Sequence, residues 1–479
     1  MSLSSVFLCR STVPPLVVLV LVVTLWAVPA TATVGTPTPD PACEATGGGR
    51  CFYIEPNAGS GSGTFEDPFG VDDLPDPDVA WCGLDSPALE ALHPGDVLYF
   101  RQGAYQLATC PPPNVWSIPY LRPARSGTAE APITLRSYPG ERVELVRASG
   151  GQPTIGDDSW DFIRILGFVI GPKVPLRVSG DDGEIAFNEI VGEFVATSDN
   201  HDGMRIEGSN RIWIHHNIVR GVDGHHVNSA GIKLYRVTDA LIEDNWIYDN
   251  RAGVFDKDSG VRNTYRRNWF GGNHAAEFYG NNQGLDSTIY FYENVVDGVI
   301  ELHHLMDGSE VHDNLVRGVN SLTGAWAGEV WNSYVWNNVV LATEGTEITA
   351  YYERQHEFVD SGPRPHLQYV DFNVYNLPPK YDFGEYTANR TIFTLADIRA
   401  LGFELDAQIV TGADEIYVDQ QSYVLLTPWL TAGRYGDPIG PDDVATILDA
   451  SRYGPESCPS AIFADGFESG NTSAWSTAP

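Results

Sequence analysis

Positive charge is scarce in this chain of 479 residues, where 29 Lys and Arg face 63 Asp and Glu for a formal net charge of −34. Such an excess of acid repels phosphate backbones and anionic lipid, which argues against a nucleic-acid or membrane-surface partner for the molecule as a whole. Methionine is almost absent, with three copies, and the six cysteines form neither a CxxC pair nor a Cys/His zinc spacing. Redox and structural-zinc chemistry are thereby set aside. The apolar run from Leu16 to Val28, broken only by Thr24, is shorter than the ~20 residues a membrane-spanning helix needs. What the chain has in quantity is 48 Gly, 32 Pro, 12 Trp, 22 Tyr and 20 Phe, with 43% hydrophobic residues overall. That mixture buries a large core and suits strands joined by turns better than a helical bundle, so an all-β protein is expected.

One positive charge, Arg10, precedes the apolar run, and Ala30-Thr31-Ala32 follows it as a small-residue cleavage site. This order reads as a bacterial-type secretory signal over residues 1–32, hence a secreted, extracellular mature protein. Its removal leaves Cys43, Cys51, Cys82, Cys110 and Cys458. In an oxidising compartment the economical pairings are Cys43 with Cys51 and Cys82 with Cys110, Cys458 being left over, although sequence alone leaves the connectivity open. Residues 33–50, with Thr-Pro repeats and Gly47-Gly48-Gly49, form a flexible lead-in.

From Asn188 onward one pattern returns: an apolar residue, two mostly polar residues, an Asn, then usually two apolar residues. It runs through Ile214-His-His-Asn217-Ile-Val, Ile242-Glu-Asp-Asn245-Trp-Ile, Tyr265-Arg-Arg-Asn268-Trp-Phe, Phe291-Tyr-Glu-Asn294-Val-Val, Val311-His-Asp-Asn314-Leu-Val and Val335-Trp-Asn-Asn338-Val-Val. Asparagines at 188, 217, 245, 268, 294, 314 and 338 give intervals of 20 to 29 residues, each long enough for two or three short strands. That is a solenoid. A leucine-rich repeat lacks its Leu scaffold here, which leaves a parallel β-helix whose coils stack at ~4.8 Å. Asn amides stacked at a coil corner hydrogen-bond to the coils above and below, so these residues are read as scaffold rather than chemistry. The expected organisation is a cap and first coils over 51–147, the coil stack over 148–376, a closing segment over 377–455 and a tail over 456–479.

With these repeats, the chain resembles the secreted right-handed parallel β-helix proteins of the pectin-lyase-like superfamily. Phe52-Tyr-Ile-Glu-Pro-Asn57 and Gly63-Thr-Phe-Glu-Asp-Pro-Phe69 are similar to their capping segment, and Pro94-Gly-Asp-Val-Leu-Tyr-Phe-Arg101 to a first coil. Leu395-Ala-Asp through Tyr423-Val-Leu-Leu resembles their closing segment. The resemblance implies the architecture. It does not carry over an activity: Arg211-Ile-Trp-Ile-His-His-Asn217 has His215 where a pectate lyase strand of this kind has Asp, and Gly224-His225-His226 with Gly231-Ile-Lys233 only partly matches the polygalacturonase motifs.

A second strand precedes each Asn by about 13 residues. Gly203–Glu207, Gly231–Tyr235, Gly253–Lys257, Ala275–Tyr279 and Val299–His303 align, and period-2 alternation turns Met204/Ile206, Ile232/Leu234, Ala276/Phe278 and Ile300/Leu302 inward. The opposite face then carries Arg205, Lys233, Phe255, Glu277 and Glu301 in one file and Glu207, Tyr235, Lys257, Tyr279 and His303 in the other, with Trp326 one coil beyond Glu301. A slip of one residue at 253 or 298 would exchange the faces. Residues 201–267 hold 10 Lys/Arg against 9 Asp/Glu, and nine of the 12 His fall between 201 and 312, a neutral belt where an acidic ligand is tolerated.

For a uronic-acid polysaccharide, elimination needs a cation on the carboxylate, a base for the neighbouring proton and an acid for the leaving oxygen. Lys257 is the candidate base, Tyr279 or His303 the acid or alternative base, and Arg205 and Lys233 the carboxylate holders. Glu207, Tyr235, Phe255 and Trp326 complete the expected substrate-binding set, the aromatic ones by stacking on sugar rings. No cofactor is required unless Ca²⁺ is held by Asp256, Asp258 and Asp202; a salt bridge from Asp256 to Arg266 or Arg267 is the structural alternative. The rival readings are hydrolysis by Glu277 and Glu301 stacked on consecutive coils, an epimerase at Asp199-Asn-His-Asp202, and a non-catalytic glycan-binding or surface rod. A monomer acting on polysaccharide is expected under the first reading.

Overall fold

The apolar-centred triplets on either side of each repeating Asn form two short strands that meet at a corner. The computed structural model describes residues 43–74, 86–107, 119–147, 154–155, 161–172, 174–195, 200–224, 228–258, 260–281, 288–303, 308–317, 321–326, 333–342, 348–354, 367–383, 391–417 and 424–458. One twelve-stranded sheet runs from Cys51–Ile54 to Leu367–Asp371, a second from Gly103–Leu107 to Gln408–Ile409, and an eight-stranded third from Pro119–Leu121 to Ile300–His303. We refer to them as sheets 1, 2 and 3. Every pairing in them is parallel and joins one coil to the next, as where Trp213–His215 in sheet 1, Ile218–Arg220 in sheet 2 and Ala230–Tyr235 in sheet 3 make one turn. The result is the right-handed parallel β-helix expected from the repeats. A further sheet of four strands, Ser321–Trp326, Thr349–Arg354, Lys380–Phe383 and Thr391–Thr394, is parallel except for its last pair.

Inward residues from the three sheets fill one continuous apolar core. Ile214, Ile242, Tyr265 and Phe291 from sheet 1 meet Val219, Ile247, Phe270 and Val296 from sheet 2 and Met204, Ile232, Val254 and Phe278 from sheet 3. Burial of these files drives the stacking.

At the corner between sheets 1 and 2, Asn188, Asn217, Asn245, Asn268, Asn294, Asn314, Asn338 and Asn373 are fully buried in a single ladder. The backbone N–H of each donates to the Oδ1 of the next, from Asn188 to Asn217 at 3.0 Å through to Asn338 and Asn373 at 3.0 Å. The residue before each Asn, from Phe187 to Phe372, has φ between 49° and 58°. That left-handed bend is unfavourable for a side-chain-bearing residue, and the ladder compensates for it at every coil. The corner asparagines are scaffold, as their spacing implies.

Glu404 closes the ladder. Its carboxylate accepts from Asn373 Nδ2 at 3.3 Å and from the buried hydroxyls of Tyr375 and Tyr381. Burial pushes this carboxyl up to about 7 despite the donors that favour its ionised form. A raised carboxyl contributes its stability in full below its ordinary pKa of 4.5 and loses it as pH rises through about 7. Glu404→Gln keeps the acceptor without the charge. The unfolding free energy of the wild type is therefore expected to fall more steeply than that of Glu404→Gln between about pH 5 and about pH 8, by on the order of 2 kcal/mol. Equal slopes would contradict the assignment.

Cys43 and Cys51 form a disulfide, and Cys458 is unpaired. Cys82, Cys110, residues 1–32 and the tail beyond 458 lie outside the described residues. Among the described residues no helix is long and apolar enough to cross a membrane.

Candidate functional site

Ladder pairing on sheet 3 sets Arg177, Arg205, Lys233, Phe255, Tyr279 and Glu301 in one file and Glu207, Tyr235, Lys257, Asn281 and His303 in the next. Four of the five coils stand in the expected register. The strand Ala276–Asn281 is offset by two residues, so Tyr279 moves into the Arg205 file and Asn281 takes the place expected for Tyr279. The expected alignment begins this strand at Ala275, 19 residues before Asn294, against 14 or 15 for the strands at Gly203, Gly231, Gly253 and Val299; Glu277, 17 residues before Asn294, takes that place.

The offset removes Glu277 from the wall. It occupies the position held by Gly203, Gly231 and Gly253 in the preceding coils, where a Cβ points at the corner between sheets 2 and 3. Its carboxylate accepts from Asn273 Nδ2 and from the Asn273 backbone N–H at 3.3 Å, which ends a second, shorter asparagine ladder through Asn250. Gly298 makes the room, since a Cβ there would lie 2.2 Å from Glu277 Cγ. Burial pushes the Glu277 carboxyl up to about 8. Glu277 and Glu301 thus do not form the stacked carboxylate pair expected for hydrolysis. The alternation Ala230-Gly231, Ala252-Gly253, Ala276-Glu277 was the sequence signal for this register.

Three further wall residues are enclosed. Lys233 is 1% exposed; its Nζ lies 2.9 Å from Asp202 Oδ1 and 3.3 Å from Asn200 Oδ1 and donates to the Asn228 carbonyl. Burial lowers its pKa, Asp202 opposes that, and Arg205 and Lys257 add to it. Its ammonium is committed to Asp202 rather than presented to a ligand. Phe255 and Tyr279 pack edge to face at 4.7 Å with Ala230, Ala252 and Ala276, a small apolar cluster apart from the main core.

What stays accessible is a compact group of charges. Glu207 is held by three guanidiniums, Arg177 at 2.7 Å, Arg205 at 3.2 Å and Arg236 at 3.4 Å. Arg205 also lies 3.5 Å from Asp202 and 5.5 Å from the Tyr235 ring. The hydrogen bond to Asp258 holds the Tyr235 hydroxyl pKa above its usual value. Lys257 projects between Tyr235 and Phe255, its Nζ 5.9 Å and 5.6 Å from their rings and 3.5 Å from Asn228 Oδ1. Among the described residues it has no carboxylate within ion-pair distance. Arg177 and Arg236 were not anticipated; the apolar-polar-apolar triplet Leu176–Val178 would have extended the file by one coil.

The remaining expected residues are dispersed. Asp256 points into the core, where Asn263 Nδ2 and the Tyr265 hydroxyl donate to it at 2.9 Å and 2.8 Å. Arg266 and Arg267 pair with Glu243 and Asp244 instead. Asp202 is on the opposite face beside Lys233, so Asp256, Asp258 and Asp202 do not converge as one ligand set. The backbone of Trp326 belongs to the four-stranded sheet, and the side chains of Trp326 and His303 lie outside the described residues. The histidines do not form a belt either. His215 ends a strand of sheet 1 and His216 follows it at the corner, with His215 Nε2 3.2 Å from Glu184 and His216 pushed down to about 4 by burial. His274 pairs with Asp223 at 3.0 Å and His312 is stacked between Tyr292 and Trp336.

The model of a family described as periplasmic copper-binding protein (NosD) matches residues 187–299. No curated protein matches the chain. Among solved structures, the pectate lyase Pel9A is similar at 15% identity and a TM-score of 0.45, covering 67% of this chain and 79% of that one. XylC in complex with xylose is similar at 11% identity and a TM-score of 0.43, over 71% of this chain and 86% of that one. PfbA, a surface adhesin of Streptococcus pneumoniae, follows at 9% identity and a TM-score of 0.29, over 66% and 84%. Of the described residues in 187–299, His215 lies against Glu184, His274 against Asp223 and Met204 in the core, while His225 and His226 lie outside the described residues. Among the described residues no group of three His, Cys, Asp or Glu is arranged to hold a metal ion. By its three parallel sheets and repeated asparagine corner, the chain is a right-handed parallel β-helix protein.

Proposed function

We propose that the accessible group on sheet 3 belongs to an exported polysaccharide lyase that cleaves a uronic-acid-containing glycan by β-elimination. The observation that carries the reading is Lys257, a part-exposed amine set between two aromatic rings with no carboxylate partner among the described residues, one coil from Tyr235 and two from Arg205. Five cations, Arg177, Arg205, Lys233, Arg236 and Lys257, stand there against Asp202, Glu207 and Asp258. On a strongly acidic chain, that local excess favours an acidic polymer.

In this reading Arg205 pairs with the uronate carboxylate and stabilises charge that develops on it when the adjacent carbon loses its proton. Lys257 is the group placed to take that proton. Tyr235, kept protonated by its raised pKa, hands a proton to the departing glycosidic oxygen. The C–O bond breaks as the C=C bond forms, leaving an unsaturated uronate end and a new hydroxyl end.

Incubating the protein with polygalacturonate, alginate and a neutral xylan separates the possibilities. Ultraviolet absorbance of an unsaturated end on an acidic polymer supports the lyase. Reducing ends without that absorbance would indicate hydrolysis, and retention without products a binding rod. Arg205→Ala is expected to lower kcat about 100-fold on the cleaved polymer. An unchanged kcat would remove Arg205 from the reaction.

A further inference from the structure

A second cationic site stands on the outer face of sheet 1, away from sheet 3. Arg434 is surrounded by three rings, its Cζ 4.2 Å from Tyr369, 4.7 Å from Tyr435 and 4.9 Å from Trp336. Among the described residues no carboxylate lies within ion-pair distance of it. Its backbone N–H donates to Asn337 Oδ1 at 2.7 Å, which fixes the turn to a coil corner.

Two features of this turn exceed what anchoring a closing segment requires. Tyr435 is 81% exposed and sits at φ 67°, ψ 7°, a left-handed conformation unfavourable for tyrosine that presents its ring to solvent. Trp336, beneath the guanidinium, ends a stack with His312 at 4.2 Å and 7° and Tyr292 at 4.9 Å and 4°, which makes the floor rigid. Beside it, Tyr290, Glu310, Tyr334 and Tyr369 form a part-exposed file at one residue per coil. The ~4.8 Å coil spacing is close to the length of one sugar unit, so a glycan laid along the stack meets successive rings.

We propose that this face is a second, non-catalytic glycan-binding site, in which Arg434 pairs with the carboxylate of an acidic sugar and Tyr435 and Tyr369 stack on pyranose rings. A guanidinium held over aromatic rings keeps its charge and its outward N–H donors, which suit a carboxylate. The site goes beyond the sheet 3 reading and stands independently of it.

The test uses the full chain carrying Arg205→Ala and Lys257→Ala, which disables sheet 3, titrated calorimetrically with galacturonate and mannuronate hexasaccharides and a neutral xylohexaose. One site per chain is expected to remain for an acidic hexasaccharide. Adding Tyr435→Ala, an exposed position, weakens it about tenfold without changing the melting temperature, and adding Arg434→Ala removes it. No residual binding to either acidic probe, residual binding indifferent to Tyr435→Ala, or equal binding of the neutral probe would overturn the proposal. Whether the intact protein cleaves any polymer does not enter this readout, so the two proposals fail separately.

Discussion

Asn268→Ala is expected to destabilise the coil stack by about 4 kcal/mol, since it opens the asparagine ladder in its middle. Asn268 Nδ2 donates to the carbonyls of Ile242 and Arg266 and to Asn294 Oδ1, and its Oδ1 accepts from both the backbone and the side-chain nitrogen of Asn245. Alanine leaves the buried Asn245 N–H without an acceptor and takes a donor from the buried Ile242 carbonyl and the part-buried Arg266 carbonyl, each buried group left unpaired at a cost of about 1–3 kcal/mol. It also leaves a void among close-packed corners. Asn268→Asp does not rescue, because it keeps the acceptor while losing the donors and burying a charge. In contrast, Arg262→Ala removes the exposed pair with Asp239 at 2.6 Å and costs under about 1 kcal/mol. Urea unfolding reports the difference between the two. Hydrogen exchange locates it, with the Asn245 amide losing protection in Asn268→Ala. Similar stabilities for Asn268→Ala and Arg262→Ala would contradict the ladder.

The ladder was legible in the sequence because its geometry is local. Each corner is one Asn with an apolar triplet on either side, and nothing distant decides where it falls. The sheet 3 register was less so, because it depends on connections whose lengths differ from coil to coil. Aligning Ala275 rather than Glu277 with Gly253 shifts the strand by two and turns a ladder-capping Glu277 into an apparent catalytic acid. Which outward residues remain accessible was not legible at all. Alternation places Lys233 and Phe255 on the outer face correctly, but only the fold shows that Asp202, Asn200 and Asn228 engage the lysine. His215 and Lys233 are close in sequence yet stand on different sheets, so a count of histidines along the chain does not describe a surface. Asp256 was placed inward by its alternation, yet its partners Asn263 and Tyr265 come from the next coil.

Lys257→Ala is expected to lower kcat by about 10²–10⁴-fold on the acidic polymer that the wild type cleaves, the range for loss of a positioned base. Its Nζ has one side-chain hydrogen bond, to Asn228 at 3.5 Å, and no ion pair among the described residues, so the unfolding free energy is expected to change by less than about 1 kcal/mol. Lys257→Arg retains the charge on a guanidinium that does not give up its proton, and is expected to bind the polymer without restoring turnover. That contrast separates proton abstraction from electrostatic attraction, since a lysine that merely attracts the glycan would be replaced by arginine with little loss. The deciding measurement is the rate of unsaturated-end formation by wild type, Lys257→Ala and Lys257→Arg at saturating polymer. Turnover in the wild type alone, with all three proteins folded and binding, is the predicted result; wild-type turnover in Lys257→Arg or Lys257→Ala would contradict it.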